Sequence, residues 1–365
     1  MKSAFIVIKT QKGIYEDDFS LMQIFRKNGV VFDETRVFSY DFNEVCKRSF
    51  TALKMDFDLV VAVVENVCLS AVLQSVTGVY AENSYQNAGN GIGAFCDKDK
   101  LLFLLPLSSD NAVSYINEVA LPMIKKAYAI RLDRVVIRSV GASRERVISL
   151  LAKVGEISQG KIRVTHERRY DEEIIEIAYG ESVSKMLIDD VVRLFVDGLG
   201  DTVYALDDTP LDERLIEMLK LRRRKISVAE SFTGGAIAKR LTSVSGASEV
   251  YFEGVNTYDE LSKIKRLGVS NYTLKTVGAV SDQTAYEMAM GLISTGDCDI
   301  SIATTGLAGP KSDRSGLPVG VCYIAVGTKE KVFVYRYKFD GSRKEITETA
   351  VNYALHLAYK QLKTM

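Results

Sequence analysis

Leu59-Val60-Val61-Ala62-Val63-Val64 and Leu101-Leu102-Phe103-Leu104-Leu105 contain no polar residue, and charged residues border them: Asp58 and Glu65 around the first, Lys100 before the second. Both read as strands, and a strand apolar on both faces is buried on both, as inside a parallel sheet with helices on each side. Outward from them, short β-branched runs alternate with longer amphipathic stretches: 4–9 then 15–28, 58–64 then 67–76, 101–106 then 110–128, 134–140 then 143–154. This alternation predicts a doubly wound, mostly parallel α/β sheet over residues 1–158.

The pattern changes at Gly160. Residues 161–168 and 173–178 alternate polar and apolar side chains, 183–195 has helical period and 202–205 is a short strand, so 159–207 is expected as a small α+β connector. Pro210, among the acidic residues of 207–212, marks a hinge. Residues 208–365 are again α/β, expected as a sandwich of helices around a sheet. Helices are predicted over 211–223, 235–241, 282–294 and 343–363, and strands at 225–229, 299–305, 319–326 and 331–339, with the segment 255–268 between the second and third helices. Ser342 and Glu345 form a capping box at the start of the last helix.

The 365 residues exceed what one core usually holds, and 47% hydrophobic with 26% charged residues excludes long disorder, collagen and coiled coil. Forty-seven basic and 47 acidic residues cancel, which removes the electrostatic footprint of a dedicated nucleic-acid binder and leaves small anions as partners. No apolar run nears the roughly 20 residues of a bilayer span, and the first ten residues carry no cleavage pattern, so no membrane partner and a cytoplasmic location are expected. Cys46, Cys68, Cys96, Cys298 and Cys322 are odd in number and never spaced as C-x-x-C; they read as reduced, buried thiols. Of the two histidines, His166 has only the neighbouring Glu167 and His356 has no partner at a useful helical offset. Nucleophilic catalysis in this chain therefore needs a base other than histidine.

Ala229-Glu230-Ser231-Phe232-Thr233-Gly234-Gly235 lies where a strand gives way to a helix. A serine there is near unpaired N–H groups and the positive end of the helix dipole, which suits an oxyanion or a phosphate. The same residues also read as an ordinary cap by Ser231 or Thr233, and Ala229 and Thr233 replace both glycines of the G-x-S-x-G elbow. Tyr258-Asp259-Glu260-Leu261-Ser262-Lys263 supplies a lysine, which serves a serine as base if burial lowers its pKa from about 10.4; alone, Lys263 reads equally as a solvated helix residue. Ala303-Thr304-Thr305-Gly306-Leu307-Ala308-Gly309-Pro310 is a second strand end entering a glycine turn, with Pro318-Val319-Gly320 beyond it. The two turns either face one crevice beyond the strand ends or are ordinary tight loops. Arg343, in the first turn of the last helix, reaches a phosphate or is a surface arginine. Gly89, Gly91 and Gly93 give G-x-G-x-G, which is not the dinucleotide fingerprint because no strand is predicted before it and the third spacing fails.

The segments 229–235, Tyr258 with Lys263 five residues on, Gly278-Ala279-Val280-Ser281, 305–310, 318–320 and Gly341-Ser342-Arg343, in this order and spacing, resemble the competence/damage-inducible CinA family. The C-terminal domain is similar to nicotinamide mononucleotide amidohydrolases. The resemblance implies a homodimeric enzyme of pyridine-nucleotide salvage that hydrolyses the carboxamide of nicotinamide mononucleotide to nicotinate mononucleotide and ammonia, without metal or cofactor. It implies Ser231 as nucleophile, Lys263 as base and Tyr258 holding their hydrogens in register. The N–H groups around Phe232, Thr233, Gly234 and Gly235 would then serve the oxyanion, and Thr305, Gly306, Gly309 and Arg343 the ribose phosphate.

The sequence also departs from the family. Phe232 stands where cysteine is usual, Glu260 and Ser262 replace Asn and Ala, and Thr347 stands where a second arginine often lies. A narrower pocket and a weaker hold on phosphate follow, and they motivate a second reading, a nucleotide-binding or scaffold protein without chemistry. The N-terminal domain resembles the family's molybdopterin-binding-like domain through 4–9, 58–64, 101–106 and Ser139-Val140-Gly141. Members active as ADP-ribose pyrophosphatases carry a glycine-rich, aspartate-containing loop after the strand matching 58–64. Here that loop is Glu65-Asn66-Val67-Cys68-Leu69, which lacks a backbone cradle for phosphate and hard ligands for a divalent cation. The first domain is therefore expected to be catalytically degenerate, with residual pyrophosphatase action as a third reading.

Overall fold

The two apolar runs are neighbouring central strands of one sheet. The computed structural model describes residues 1–10, 19–39, 43–80, 85–89, 91–107, 110–128, 132–180, 183–312 and 316–365, in two units: Met1–Arg134 with Ala178–Val183, and Val135–Ile177 with Ser184–Met365. The first unit contains β1 (Ser3–Lys9), α1 (Ser20–Lys27), β2 (Glu34–Ser39), α2 (Asn43–Asp56), β3 (Leu59–Val64), α3 (Leu69–Thr77), β4 (Tyr85–Gly89), β5 (Ile92–Asp97), β6 (Lys100–Pro106), α4 (Asp110–Tyr115) and α5 (Leu121–Tyr128). The strand order is β2-β1-β3-β6-β5-β4, with the first four parallel and β5 and β4 antiparallel. Alternate residues of each central strand feed opposite cores. Phe5, Val7, Leu59, Val61, Val63, Phe103 and Leu105 face α1, α4 and α5, while Ala4, Ile6, Val60, Ala62, Leu102 and Leu104 face α2 and α3.

This is the doubly wound sheet expected from sequence, with additions. β2 and α2 lie in the polar stretch between the first two predicted units. A strand, β4, does precede Gly91, contrary to expectation; it turns back into β5, so the glycines belong to a hairpin and no helix N-terminus follows them. Residues 15–18 of the predicted first helix lie outside the described residues. After β3, Glu65 accepts hydrogen bonds from the Thr10 backbone N (2.6 Å) and the Thr10 hydroxyl (2.7 Å).

The second unit starts earlier than the expected boundary at 158. β7 (Leu132–Val140), α6 (Arg144–Ser158), β8 (Ile162–Arg169), β9 (Glu172–Gly180), α7 (Lys185–Leu199) and β10 (Val203–Ala205) build a four-stranded sheet in the order β10-β7-β9-β8. β7 and α6, assigned by pattern to the first domain, thus belong to this α+β part. The reason is visible in β7: Asp133, Arg134 and Arg138 interrupt its apolar residues, which suits an antiparallel strand with one wet face and not a central parallel one. β7 pairs antiparallel with β10, and Arg138 bridges to Glu172 at 2.7 Å and to the Asp208 carbonyl at 2.8 Å.

The remainder of this unit is α8 (Leu211–Arg222), β11 (Ile226–Glu230), α9 (Ala236–Thr242), β12 (Tyr251–Asn256), α10 (Glu260–Leu267), α11 (Asn271–Thr276), α12 (Asp282–Ile293), β13 (Ile300–Gly306), β14 (Val321–Thr328), β15 (Val332–Lys338) and α13 (Arg343–Thr364). The sheet order is β12-β11-β13-β14-β15; β11 is parallel to both neighbours, and β14 and β15 are antiparallel. Ile226, Val228, Ile300, Ile302 and Ile324 pack with α8, α9 and α13, and Ala229, Ala303 and Ala325 with α10, α11 and α12. The chain leaves β11 through α9 on one face to reach β12, then returns through α10–α12 on the other face to reach β13. The carboxyl end of β11 is where the winding reverses, the position at which α/β sheets form a ligand crevice.

α13 ties the sheet to the α+β part: Asn352 donates to the Tyr170 carbonyl (2.9 Å) and Lys360 pairs with Asp201 (3.3 Å). Its capping box is formed, Ser342 accepting from the Glu345 backbone N and Glu345 from the Ser342 backbone N. Ser342→Ala is expected to lower the stability of this unit by about 1 kcal/mol, read as an earlier midpoint in urea-induced unfolding.

Candidate active site

Ser231 is the first residue after β11, held there by its backbone N donating to the Thr304 carbonyl of β13 (3.1 Å). Lys263 comes from α10, whose start is fixed by Asp259 accepting from the Leu261 backbone N (2.8 Å). Lys263 and Leu267, one turn apart, are the buried positions of α10. The lysine is therefore carried on the helix's inner face and is 1% exposed. Its Nζ lies 3.0 Å from Ser231 Oγ and also donates to the Thr257 carbonyl at the end of β12. Burial pushes the Lys263 amine down to about 8, against the opposing pull of Glu260 and Asp259. The two groups singled out from sequence thus meet, although 32 residues separate them.

An amine with one N–H on a carbonyl keeps its lone pair for another partner when neutral. In that state the lone pair of Lys263 lies within hydrogen-bond reach of the Ser231 hydroxyl, the geometry a serine needs to be activated by a lysine base.

Glu230 is a residue that sequence reasoning passed over. It ends β11, is 1% exposed, and its carboxylate accepts from the backbone N of Gly235 (3.0 Å), Ile237 (3.1 Å) and Ala238 (2.8 Å). Ala236 N donates to the Thr233 carbonyl (3.1 Å), so every N–H of the first turn of α9 is satisfied from within the chain. Hydrogen bonds to a charged group contribute about 1.5–3 kcal/mol each, and they offset the several kcal/mol that burying a carboxylate costs. The signal in the sequence is an acidic residue closing an otherwise buried strand immediately before a glycine turn.

The turn 231–235 sorts the expected oxyanion donors. Gly234 N donates to the Ser231 carbonyl (3.1 Å) and Gly235 N to Glu230, so neither is available. Among the described residues the backbone N–H groups of Phe232 and Thr233 have no acceptor. The Thr233 hydroxyl bonds Thr304 Oγ1 (2.8 Å) inside the protein. The Phe232 ring joins the apolar cluster with Ile237, Ala308 and Phe339.

The expected phosphate residues divide similarly. Thr305, 1% exposed, donates to the Ala279 carbonyl (2.6 Å) and so fastens the loop before α12 to the end of β13. A Cβ on Gly306 would come within 2.9 Å of the Cys322 Cα, and one on Gly309 within 2.7 Å of Val319 Cγ1. Close packing explains Gly306, and close packing together with a φ of +80° explains Gly309. Arg343 donates to the Gly309 carbonyl (2.7 Å) and to Tyr258 Oη (3.3 Å). Tyr258 is 66% exposed, and its hydroxyl partner is Arg343; it does not bridge Ser231 and Lys263 as expected. Arg343, Tyr258 and the turn 306–309 together form a rim beyond the strand ends. Among the described residues no three His, Cys, Asp or Glu side chains gather as a metal site, and no helix is long and apolar enough to cross a membrane.

The family model of the CinA C-terminal domain matches residues 208–362, the stretch that carries Ser231, Lys263 and the rim. A protein of Caldicellulosiruptor saccharolyticus named for competence-damage induction is 33% identical over 277 residues, 75% of this chain and 67% of that one. The chain belongs to the CinA family. A CinA superfamily structure from Klebsiella pneumoniae aligns at 30% identity over 42% of this chain and 97% of its own, with a TM-score of 0.42. A structure of molybdenum cofactor biosynthesis protein B aligns at 17% identity over 34% of this chain and 92% of that one, with a TM-score of 0.25.

In this CinA-family chain, the lowered Lys263 pKa links stability to pH. Between about 8 and the ordinary 10.5, the folded protein has released a proton that the unfolded chain still binds, so stability rises with pH across that window. Lys263→Met removes the group. The stability of wild type relative to Lys263→Met is expected to increase from pH 7.5 to pH 10, as measured by paired melting curves; an unchanged difference would refute the lowered pKa.

Proposed function

We propose that this CinA-family protein hydrolyses the carboxamide of nicotinamide mononucleotide, releasing ammonia and nicotinate mononucleotide, as a step of pyridine-nucleotide salvage. One observation carries the reading: a serine hydroxyl 3.0 Å from a buried lysine amine whose pKa is lowered to about 8. Ser231 Oγ attacks the amide carbon while its proton passes to neutral Lys263. The negative charge on the amide oxygen is met by the backbone N–H groups of Phe232 and Thr233. Lys263 returns the proton to the departing nitrogen, the C–N bond breaks, and ammonia leaves an ester on Ser231. Water then gives a proton to the same lysine and attacks the ester carbon; the C–Oγ bond breaks, Lys263 returns the proton to Ser231 Oγ, and the acid product leaves as a carboxylate. Each step needs only groups of this chain, its substrate and water. Arg343 uses two N–H donors within the protein and has others for the substrate phosphate.

With a pKa near 8, about a tenth of Lys263 is neutral at pH 7. kcat/KM should rise with pH up to a limb near 8, and Glu260→Gln should move that limb down, since Glu260 holds the amine's pKa up. Ser231→Ala is expected to cut ammonia release by on the order of 10³-fold or more with nucleotide affinity within a few-fold of wild type. Lys263→Ala should lose turnover and the pH limb together. Steady ammonia release by Ser231→Ala, assayed without added metal, would sink the proposal.

A further inference from the structure

We propose that Glu230 is a positioning residue for Ser231: its carboxylate closes the 231–235 turn onto α9 and so aims the hydroxyl at Lys263 and leaves the Phe232 and Thr233 N–H groups unpaired. The inference rests on the serine–lysine reading above. A helix N-terminus ordinarily offers its free N–H groups to an anion. Here Glu230 occupies three of them, at Gly235, Ile237 and Ala238. The backbone of Glu230 is meanwhile fixed on both sides. Its strand pairs with β13, and its carbonyl accepts from Thr257 N (2.8 Å), the residue whose own carbonyl holds Lys263. One residue thus anchors the strand end, the turn that carries the nucleophile and the segment that carries the base's acceptor.

Replacing the carboxylate by an amide changes this clamp without changing its size. Gln offers one acceptor oxygen where Glu offers two, and its NH2 would face a backbone N–H. The turn must then shift, and small displacements of a nucleophile cost on the order of 10²-fold in rate.

The test is phosphonylation of Ser231 by a fluorophosphonate, in which the Oγ–P bond forms, fluoride leaves and Lys263 takes the proton; it reads the nucleophile without requiring a nucleotide substrate. Glu230→Gln should lower the labelling rate by on the order of 10²-fold and, with nicotinamide mononucleotide, lower kcat while KM stays within about threefold. Leu241→Val, a buried change on the same helix that makes no bond to Glu230, should lower the melting temperature and keep the labelling rate. A folded Glu230→Gln protein labelled at the wild-type rate overturns the proposal. If that variant does not fold, Gly235→Ala decides in its place: at a φ of +95° a methyl group meets only Asn256 Nδ2, at 3.8 Å, without a clash, so the substitution strains chiefly the backbone whose N–H Glu230 accepts, and unaltered labelling there overturns the proposal equally. Wild-type protein that is labelled yet releases no ammonia refutes the substrate and leaves the positioning role to be judged by the labelling rates. Wild-type protein that is not labelled refutes the serine–lysine pair and the positioning role together.

Discussion

A primary amine shut away from water cannot keep its proton at the usual cost, and the C-terminal half of this chain is arranged around one such amine. Lys263 is buried because it shares the inner face of α10 with Leu267. α10 in turn is held by the crossing of the chain from one face of the sheet to the other. The partners left to Nζ are a backbone carbonyl and Ser231 Oγ, neither of which stabilises the ammonium as a carboxylate would. Glu260 and Asp259 pull the other way from the start of the helix, which keeps the amine near the pH at which it can both take and return a proton.

The parts of this arrangement legible in the sequence were those with a local signature. The alternating faces of β3 and β6 follow from their composition, since a run of Val and Leu without a charge has nowhere to lie but between two layers of helices. β7 carries much the same β-branched residues, and its charged positions, Asp133, Arg134 and Arg138, were the sign that it belongs to a half-wet antiparallel sheet. β2 and α2 are polar enough to hide between their neighbours. Ser231 and Lys263 were visible as members of a family pattern, whereas residue spacing alone says nothing about the distance between a strand end and a helix 32 residues later. Tyr258, Thr305, Gly306 and Gly309 stood in the same pattern, but packing and hydrogen bonds to neighbouring segments account for what they do in the fold.

Glu230 left only a faint trace in the sequence, for a different reason. An acidic residue before a serine turn carries no period and no spacing, and the helix N-terminus after it reads as an empty anion site. Only the fold reveals that the chain has filled that site itself. A buried carboxylate accepting three backbone donors is stable where a solvent-exposed cap would fray, and it replaces a mobile turn by a fixed one. Under the proposed reading, rigidity beside Ser231 has a clear use, because the serine must meet the amine and the amide carbon at the same moment.

Filling the N-terminus of α9 also separates two kinds of electrostatics. With the first-turn N–H groups committed, the donors left beside Ser231 are those of Phe232 and Thr233, few and enclosed, suited to one developing oxyanion. The substrate phosphate of the proposed reaction must then be met elsewhere. Arg343 stands at the rim with Tyr258, anchored to the Gly309 carbonyl, where water still screens charge. Thr347, one turn further along α13, adds no second cation. Under the proposed reading, the phosphate at this rim contributes affinity and orientation, while the amide chemistry proceeds in the dry interior where each hydrogen bond counts for more. The fixed turn and the buried pair meet only the carboxamide, which any amide shares, so under this reading the preference for a nucleotide amide rests on the rim, where a single exposed arginine makes a weak anchor.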